Sequence, residues 1–317
     1  MKYFASLALI LLVTAAAVAQ KSDPNKFAVI INGAGGEPEY AKQFAEWTTQ
    51  LSSVLSRRYG FDPKQVKVLS EKVATADEVK RTFGLLKSEL DAGNILFVFF
   101  IGHGSFDGKE AKFNLVGPDL AATDYNQLLT ALPTKRIVVF NMSSASGEFV
   151  KPLSAKGRIV VTATRNGQET NATRFAGFFI TALNATDGDT DQDGHTSILE
   201  AFVYANRLTE EFYKRAGRLA TEHALLDDNG DGVGREKPEA GEGLLARATY
   251  LDSLSVDEAA ATAATGRLLK ERARLEGEIE QHLARKAFLP EAEYEATLER
   301  LFIELAKVNR SIKQAGS

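Results

Sequence analysis

Short apolar runs with no helical period recur along the chain, and stretches with a three- and four-residue apolar spacing stand between them. Phe27-Ala28-Val29-Ile30-Ile31-Asn32, Gln65-Val66-Lys67-Val68-Leu69, Ile95-Leu96-Phe97-Val98-Phe99-Phe100-Ile101, Arg136-Ile137-Val138-Val139-Phe140 and the run from Arg158 to Thr164 read as strands. Most are apolar at every position, the signature of strands buried on both faces of a sheet. Between the first two, Tyr40, Phe44, Trp47, Leu51, Val54 and Leu55 mark one face of an amphipathic helix. Thr75-Ala76-Asp77-Glu78 has the form of a capping box and opens a helix with Val79, Phe83, Leu86 and Leu90 inward. A small hairpin around Phe113-Asn114-Leu115-Val116, a helix near Tyr125 to Leu132, and helices through Phe175–Leu183 and Ile198–Lys214 complete the pattern. Strands alternating with helices predict an α/β fold over residues 26–250, a mostly parallel sheet flanked by helices.

The pattern changes after Ser255. Leu268, Leu275, Ile279 and Leu283, then Tyr294, Leu298, Leu301, Leu305, Val308 and Ile312, alternate spacings of three and four. This predicts a C-terminal α-helical hairpin over 255–315, with Pro290 in the first turn of its second helix. Such a hairpin either lies on the α/β domain, mediates self-association or meets a partner helix.

At the other end, Lys2, the apolar stretch Phe4 to Val18 and Ala17-Val18-Ala19 form a secretory signal peptide over residues 1–19. The expected location is periplasmic or secreted, with no membrane association after cleavage. The formal net charge of −4 over 317 residues gives no basic surface for nucleic acid. No G-x-G-x-x-G and no G-x-x-x-x-G-K-[ST] occurs, so nucleotide binding has no support. Cysteine is absent, so the exported protein is held by its core or by metal ions, and no thiol serves as a nucleophile.

A metal signal follows. Asp189-Thr190-Asp191-Gln192-Asp193-Gly194-His195-Thr196-Ser197-Ile198-Leu199-Glu200 matches a twelve-residue EF-hand loop for Ca²⁺. Asp189, Asp191, Asp193, the His195 carbonyl, Ser197 or its water and Glu200 are the expected oxygen ligands, and the His195 ring is expected to face solvent. Thr196 stands where an aliphatic residue is usual, which weakens the expected β-contact there. Asp227-Asp228-Asn229-Gly230-Asp231-Gly232-Val233-Gly234 begins in the same way, with Asp227, Asn229, Asp231 and the Val233 carbonyl as ligands of a second site. Its twelfth place is Pro238, without a carboxylate, so a plain Asx-rich turn is the equal alternative.

Two strands end on chemically able side chains. Ile95–Ile101 runs into Gly102-His103-Gly104-Ser105, and Arg136–Phe140 runs into Asn141-Met142-Ser143-Ser144-Ala145-Ser146-Gly147. In open α/β sheets, sites form at the carboxyl ends of parallel strands. Taken singly, His103 reads as a donor to a neighbouring carbonyl, and the serines as caps of a helix starting near Glu148. His223 and His282 read as structural or surface residues.

Over roughly Phe27 to Thr164, this order of strands, His-Gly and Ser-Gly resembles the caspase and legumain clan of cysteine peptidases. The resemblance implies a caspase-like domain with His103 as base, the Gly104 amide as oxyanion donor and Ser144 at the nucleophile position. Ser143 takes that position if the register slips by one. It also implies a peptide or protein segment as the crevice's partner, and Arg165 as a substrate-binding residue for an acidic side chain. The departure from the clan is Ser144 in place of cysteine. A serine hydroxyl is far less acidic than a thiol and needs a well-oriented base, for which Asp107 and Asp124 are the candidate orienting groups. Two readings remain: a pseudopeptidase that binds without cleaving, or a serine-type hydrolase using Ser144 and His103.

Overall fold

The computed structural model describes residues 22–185, 188–190, 195–238, 243–252 and 289–315, together with scattered positions between 268 and 286. The signal-peptide reading and the Asp191 and Asp193 ligands lie outside these residues. Among the described residues no helix is long and apolar enough to cross a membrane.

The chain runs β1 (Lys26–Asn32), α1 (Pro38–Arg58), β2 (Val66–Leu69), α2 (Ala76–Glu89), β3 (Ile95–Ile101), β4 (Gly104–Phe106), β5 (Ala111–Phe113), β6 (Leu120–Ala121) and α3 (Ala122–Thr130). It continues with β7 (Arg136–Asn141), a short 3-10 turn (Ser146–Phe149), α4 (Val150–Leu153), β8 (Arg158–Thr162), α5 (Phe175–Asn184), α6 (Ile198–Arg215), β9 (Leu225–Asp227) and α7 (Leu244–Arg247). The last helix, α8, is Glu291–Ala315. Six strands form one sheet in the order β2-β1-β3-β7-β8-β9, parallel throughout except for β9, which runs antiparallel to β8. The protein is therefore α/β with a mostly parallel central sheet flanked by helices.

Because β1, β3 and β8 are buried at every position, each feeds a separate core on each face of the sheet. On one face, Ala28, Ile30, Phe97, Phe99, Phe140 and Val161 pack against α1, α5 and α6 through Phe44, Leu51, Phe179 and Phe202. On the other, Val29, Ile31, Val98, Phe100 and Val139 pack against α2 and α3 through Val79, Phe83, Leu86, Tyr125 and Leu129. Alternate strand residues thus serve opposite faces, as the pleat requires.

Several local expectations need correction. The capping box at Thr75 is half made: Thr75 accepts from Glu78 N at 3.2 Å, but the Glu78 carboxylate turns to Arg81. A small second sheet, β4-β5-β6, holds the predicted hairpin region. In the C-terminal part, Leu275, Ile279 and Leu301 form a cluster of their own with Leu298, Leu305 and Val308 against it, but Leu283 is exposed. Pro290 stands one residue before α8, its carbonyl accepting from Tyr294 N.

Candidate functional site

Strand order decides what meets at the crevice. β3 and β7 are adjacent and parallel, with Phe100 opposite Asn141, so the segments after both strands leave side by side. The serine turn is then fixed by contacts from all around it. Ala145 adopts the left-handed region (φ 54°) and donates its N–H to the Glu169 carbonyl at 2.9 Å. Met142 O accepts from Thr173 Oγ1 at 2.6 Å. Gly147 must be glycine: a Cβ there would stand 2.2 Å from the Arg165 carbonyl carbon.

Each serine hydroxyl in this turn has work. Ser143 Oγ donates to Asn141 Oδ1 at 2.7 Å and is fully buried. Ser146 Oγ accepts from Ala163 N and Thr164 N at 3.1 and 3.2 Å, so it locks the turn to the end of β8 instead of capping a helix. Ser144 Oγ donates to the Gly104 carbonyl at 3.0 Å and accepts from Gly104 N–H at 3.1 Å. The nucleophile candidate and the oxyanion-donor candidate are therefore bonded to each other. Glycine at 104 permits this approach, since a Cβ would lie 2.4 Å from Ser144 O.

His103 is half-buried beside α1. Its ring meets the rings of Tyr40 and Phe44 edge-on, both with centroids 5.0 Å away. Burial holds its imidazole below the usual histidine range, opposed by a hydrogen bond to the Gly35 backbone. Neither of the two carboxylates that could in principle orient His103 is bonded to it. Asp107 accepts from Lys109 N and Glu110 N in its own turn, and Asp124 accepts from Ala121 N at the start of α3. Gly35 is held in turn by the Glu71 carboxylate, which accepts its N–H at 2.7 Å.

Arg165 lies three residues past the end of β8. Its guanidinium is 3.3 Å from Glu169 and 3.6 Å from Glu236, so two carboxylates already share the charge assigned to an acidic substrate. Glu169 also binds His223: Nδ1 lies 2.5 Å from Oε1, and His223 N–H donates to Oε2. Next to it, the buried Glu222 caps α5 by accepting from Arg174 N and Phe175 N, and burial raises its pKa. Glu169 is the residue that sequence reading missed, and it pairs with His223, read as a structural or surface residue. The Arg165–Glu169 spacing of four was visible, but the pairing with residue 223 was not.

At the Asp189–Glu200 segment, Ser197 caps α6 and forms a full capping box with Glu200. Glu200 Oε1 also accepts from Thr190 N at 2.8 Å, which draws the two ends of the loop together. The expected β-contact is present despite Thr196, since Ser197 bridges Tyr250 and Leu251 N donates to Thr196 O at 3.0 Å. The His195 ring does not face solvent freely: Nδ1 lies 3.0 Å from Asp252 Oδ2, because the returning 249–252 segment brings that carboxylate alongside. In the second loop, Asp227, Asn229 and Asp231 each accept from a backbone N–H two or three residues on, and Arg235 binds Asp231 and the Val233 carbonyl.

No protein-family model matches the chain, and no curated protein matches it. Among solved structures, it is similar to a protein of Geobacter sulfurreducens, GSU0716, at 15% identity over 64% of this chain and 93% of that one, TM-score 0.43. Caspase-1 of Spodoptera frugiperda matches at 12% identity over 65% of this chain and 88% of its own, also with TM-score 0.43. The Drosophila initiator caspase Dronc matches at 10% identity over 69% and 87%, again with TM-score 0.43.

Proposed function

We propose that the chain is an exported, calcium-binding peptidase homologue of caspase/legumain type that holds a peptide or protein segment at the β3–β7 crevice without efficiently cleaving it. The observation that carries this reading is the engagement of Ser144. Its proton is given to the Gly104 carbonyl at 3.0 Å, not to an imidazole, and its lone pair takes the Gly104 N–H at 3.1 Å. Attack on a carbonyl needs the hydroxyl proton handed to a base and the oxyanion donor left open for the substrate. Here both demands compete with bonds already made. Burial lowers the His103 pKa, which favours the neutral form a base needs, but the ring stands against the Gly35 backbone, which acts on its pKa in the opposite sense. Export is supported by residues 1–19, and calcium binding by the donor spacing of Asp189 to Glu200.

A fluorophosphonate serine probe tests this on the purified protein in calcium. The expected result is no labelling of the folded wild type. Labelling that disappears in both Ser144→Ala and His103→Ala would overturn the reading in favour of a serine hydrolase. Ser144→Cys adds a sharper arm, since it places the chain's one thiol at that position. If only serine's poor acidity limits the site, alkylation of that thiol should proceed with an apparent pKa below about 8.5. For the calcium loop, the melting temperature should rise with Ca²⁺, and less so after Asp189→Ala with Glu200→Ala.

A further inference from the structure

The Asp227–Val233 loop lies apart from the crevice. It leaves β9 where Asp227 pairs with Val160 and passes the chain before β8, with Gly230 against Ala155 and Lys156. Its ends are tied together by two hydrogen bonds between Leu226 and Arg235, at 3.0 and 2.9 Å. Gly230 and Gly232 both take positive φ, 79° and 76°, which lets the chain turn sharply at both positions.

Most of these oxygens have local partners. Asp227 Oδ1 accepts from Gly230 N at 3.1 Å, Asn229 Oδ1 from Asp231 N at 2.9 Å, and Asp231 Oδ1 from Val233 N at 2.8 Å. Arg235 supplies positive charge on the outer side. Its Nη2 lies 3.1 Å from Asp231 Oδ2, and its Nη1 lies 2.7 Å from the Val233 carbonyl. Asp228 takes no part, because its carboxylate accepts from Gly243 N and Ala246 N at the start of α7.

One oxygen is left over. Asp227 is 2% exposed, its carboxylate is turned into the loop by the Gly230 bond, and its Oδ2 has no partner. Ser154 Oγ is likewise buried and unpaired, on a residue whose Cβ lies 3.9 Å from the position a Gly232 Cβ would take. A buried carboxylate oxygen without a donor costs on the order of 1–3 kcal/mol or more, and a cation beside it removes that cost.

We propose that this loop is a second site for a hard divalent cation, Ca²⁺ in the exported protein, with Asp227 Oδ2, Asn229, Asp231 and the Val233 carbonyl as protein ligands and Arg235 as the resident competitor. The site takes oxygens only, which selects Ca²⁺ over soft metals. With Pro238 at the twelfth place, no bidentate carboxylate closes it, and water completes the shell. Its affinity therefore falls in the range of extracellular modules, Kd about 10⁻⁴–10⁻³ M.

Calcium titration by flow dialysis on the Asp189→Asn, Glu200→Gln protein isolates this loop from the first one. One equivalent should bind in that range, weakened about tenfold or more by Asp227→Asn and tightened several-fold by Arg235→Gln. No bound calcium in the starting variant, or binding indifferent to Asp227→Asn, overturns the proposal. If circular dichroism shows that Asp227→Asn does not fold, Asn229→Ala, at an exposed position, carries the same expectation. None of these readings depends on Ser144, so they stand or fall apart from the pseudopeptidase reading.

Discussion

Two loops of this chain look alike in sequence, both short, polar and rich in side chains able to do chemistry, yet they differ in what they leave unused. In the serine turn, all three hydroxyls are consumed, Ser143 by Asn141, Ser144 by Gly104 and Ser146 by the end of β8, and what stays unmatched is the neutral Asn141 amide Nδ2. In the acidic loop, one buried carboxylate oxygen of Asp227 stays unmatched after every local bond is counted. A group whose hydrogen bonds are complete holds structure. A buried carboxylate oxygen with none costs more than a neutral amide with none, because it carries charge. The residue type alone therefore says less about chemistry than what is left over after folding.

The comparison can be broken in order of effect. Gly147→Ala should abolish folding or cost more than about 4 kcal/mol in urea denaturation, because its Cβ would overlap the Arg165 backbone. Ser146→Ala should cost about 1–3 kcal/mol, since Thr164 N–H loses its buried acceptor. Ser144→Ala, at a partly exposed bond pair, should cost about 1 kcal/mol. Asp227→Asn in chelator should lie within about 1 kcal/mol of wild type, as it removes a charge whose second oxygen had no partner. A large loss there would mean the oxygen is committed after all.

The smallest effect concerns His103. Its folded pKa lies below the ordinary 6.5, so the folded state resists protonation. Its contribution to stability is fully present above pH 6.5 and is lost as pH falls through the window beneath. Melting temperatures at pH 7 and pH 5 should differ less in His103→Phe, where a ring still fills the space between Tyr40 and Phe44. Proton NMR should show the His103 imidazole titrating below 6.5.

The long elements were legible because burial on both faces writes continuous apolar runs, as in Ile95–Ile101. β9 was not, since three residues, Leu225–Asp227, carry no period and pair only because β8 offers an edge. The placing of His103 beside the serine turn followed from strand order alone. Its partners did not follow, because Gly35, Tyr40 and Phe44 reach it from another element. The same holds for Glu169 with His223 and Asp252 with His195, pairs 54 and 57 residues apart that no local spacing announces.

The pairing of 249–252 has a mechanical consequence. Leu251 gives its carbonyl to the buried Lys26 Nζ at 2.6 Å and its N–H to Thr196. Lys26 begins β1, whose seven residues separate it from the Gly33 loop by about 20 Å. The tail thus departs from the pole opposite the serine turn. Any tug on the chain past Asp252 is borne first by the back of the Asp189–Glu200 loop and the foot of β1, while the crevice is spared the load.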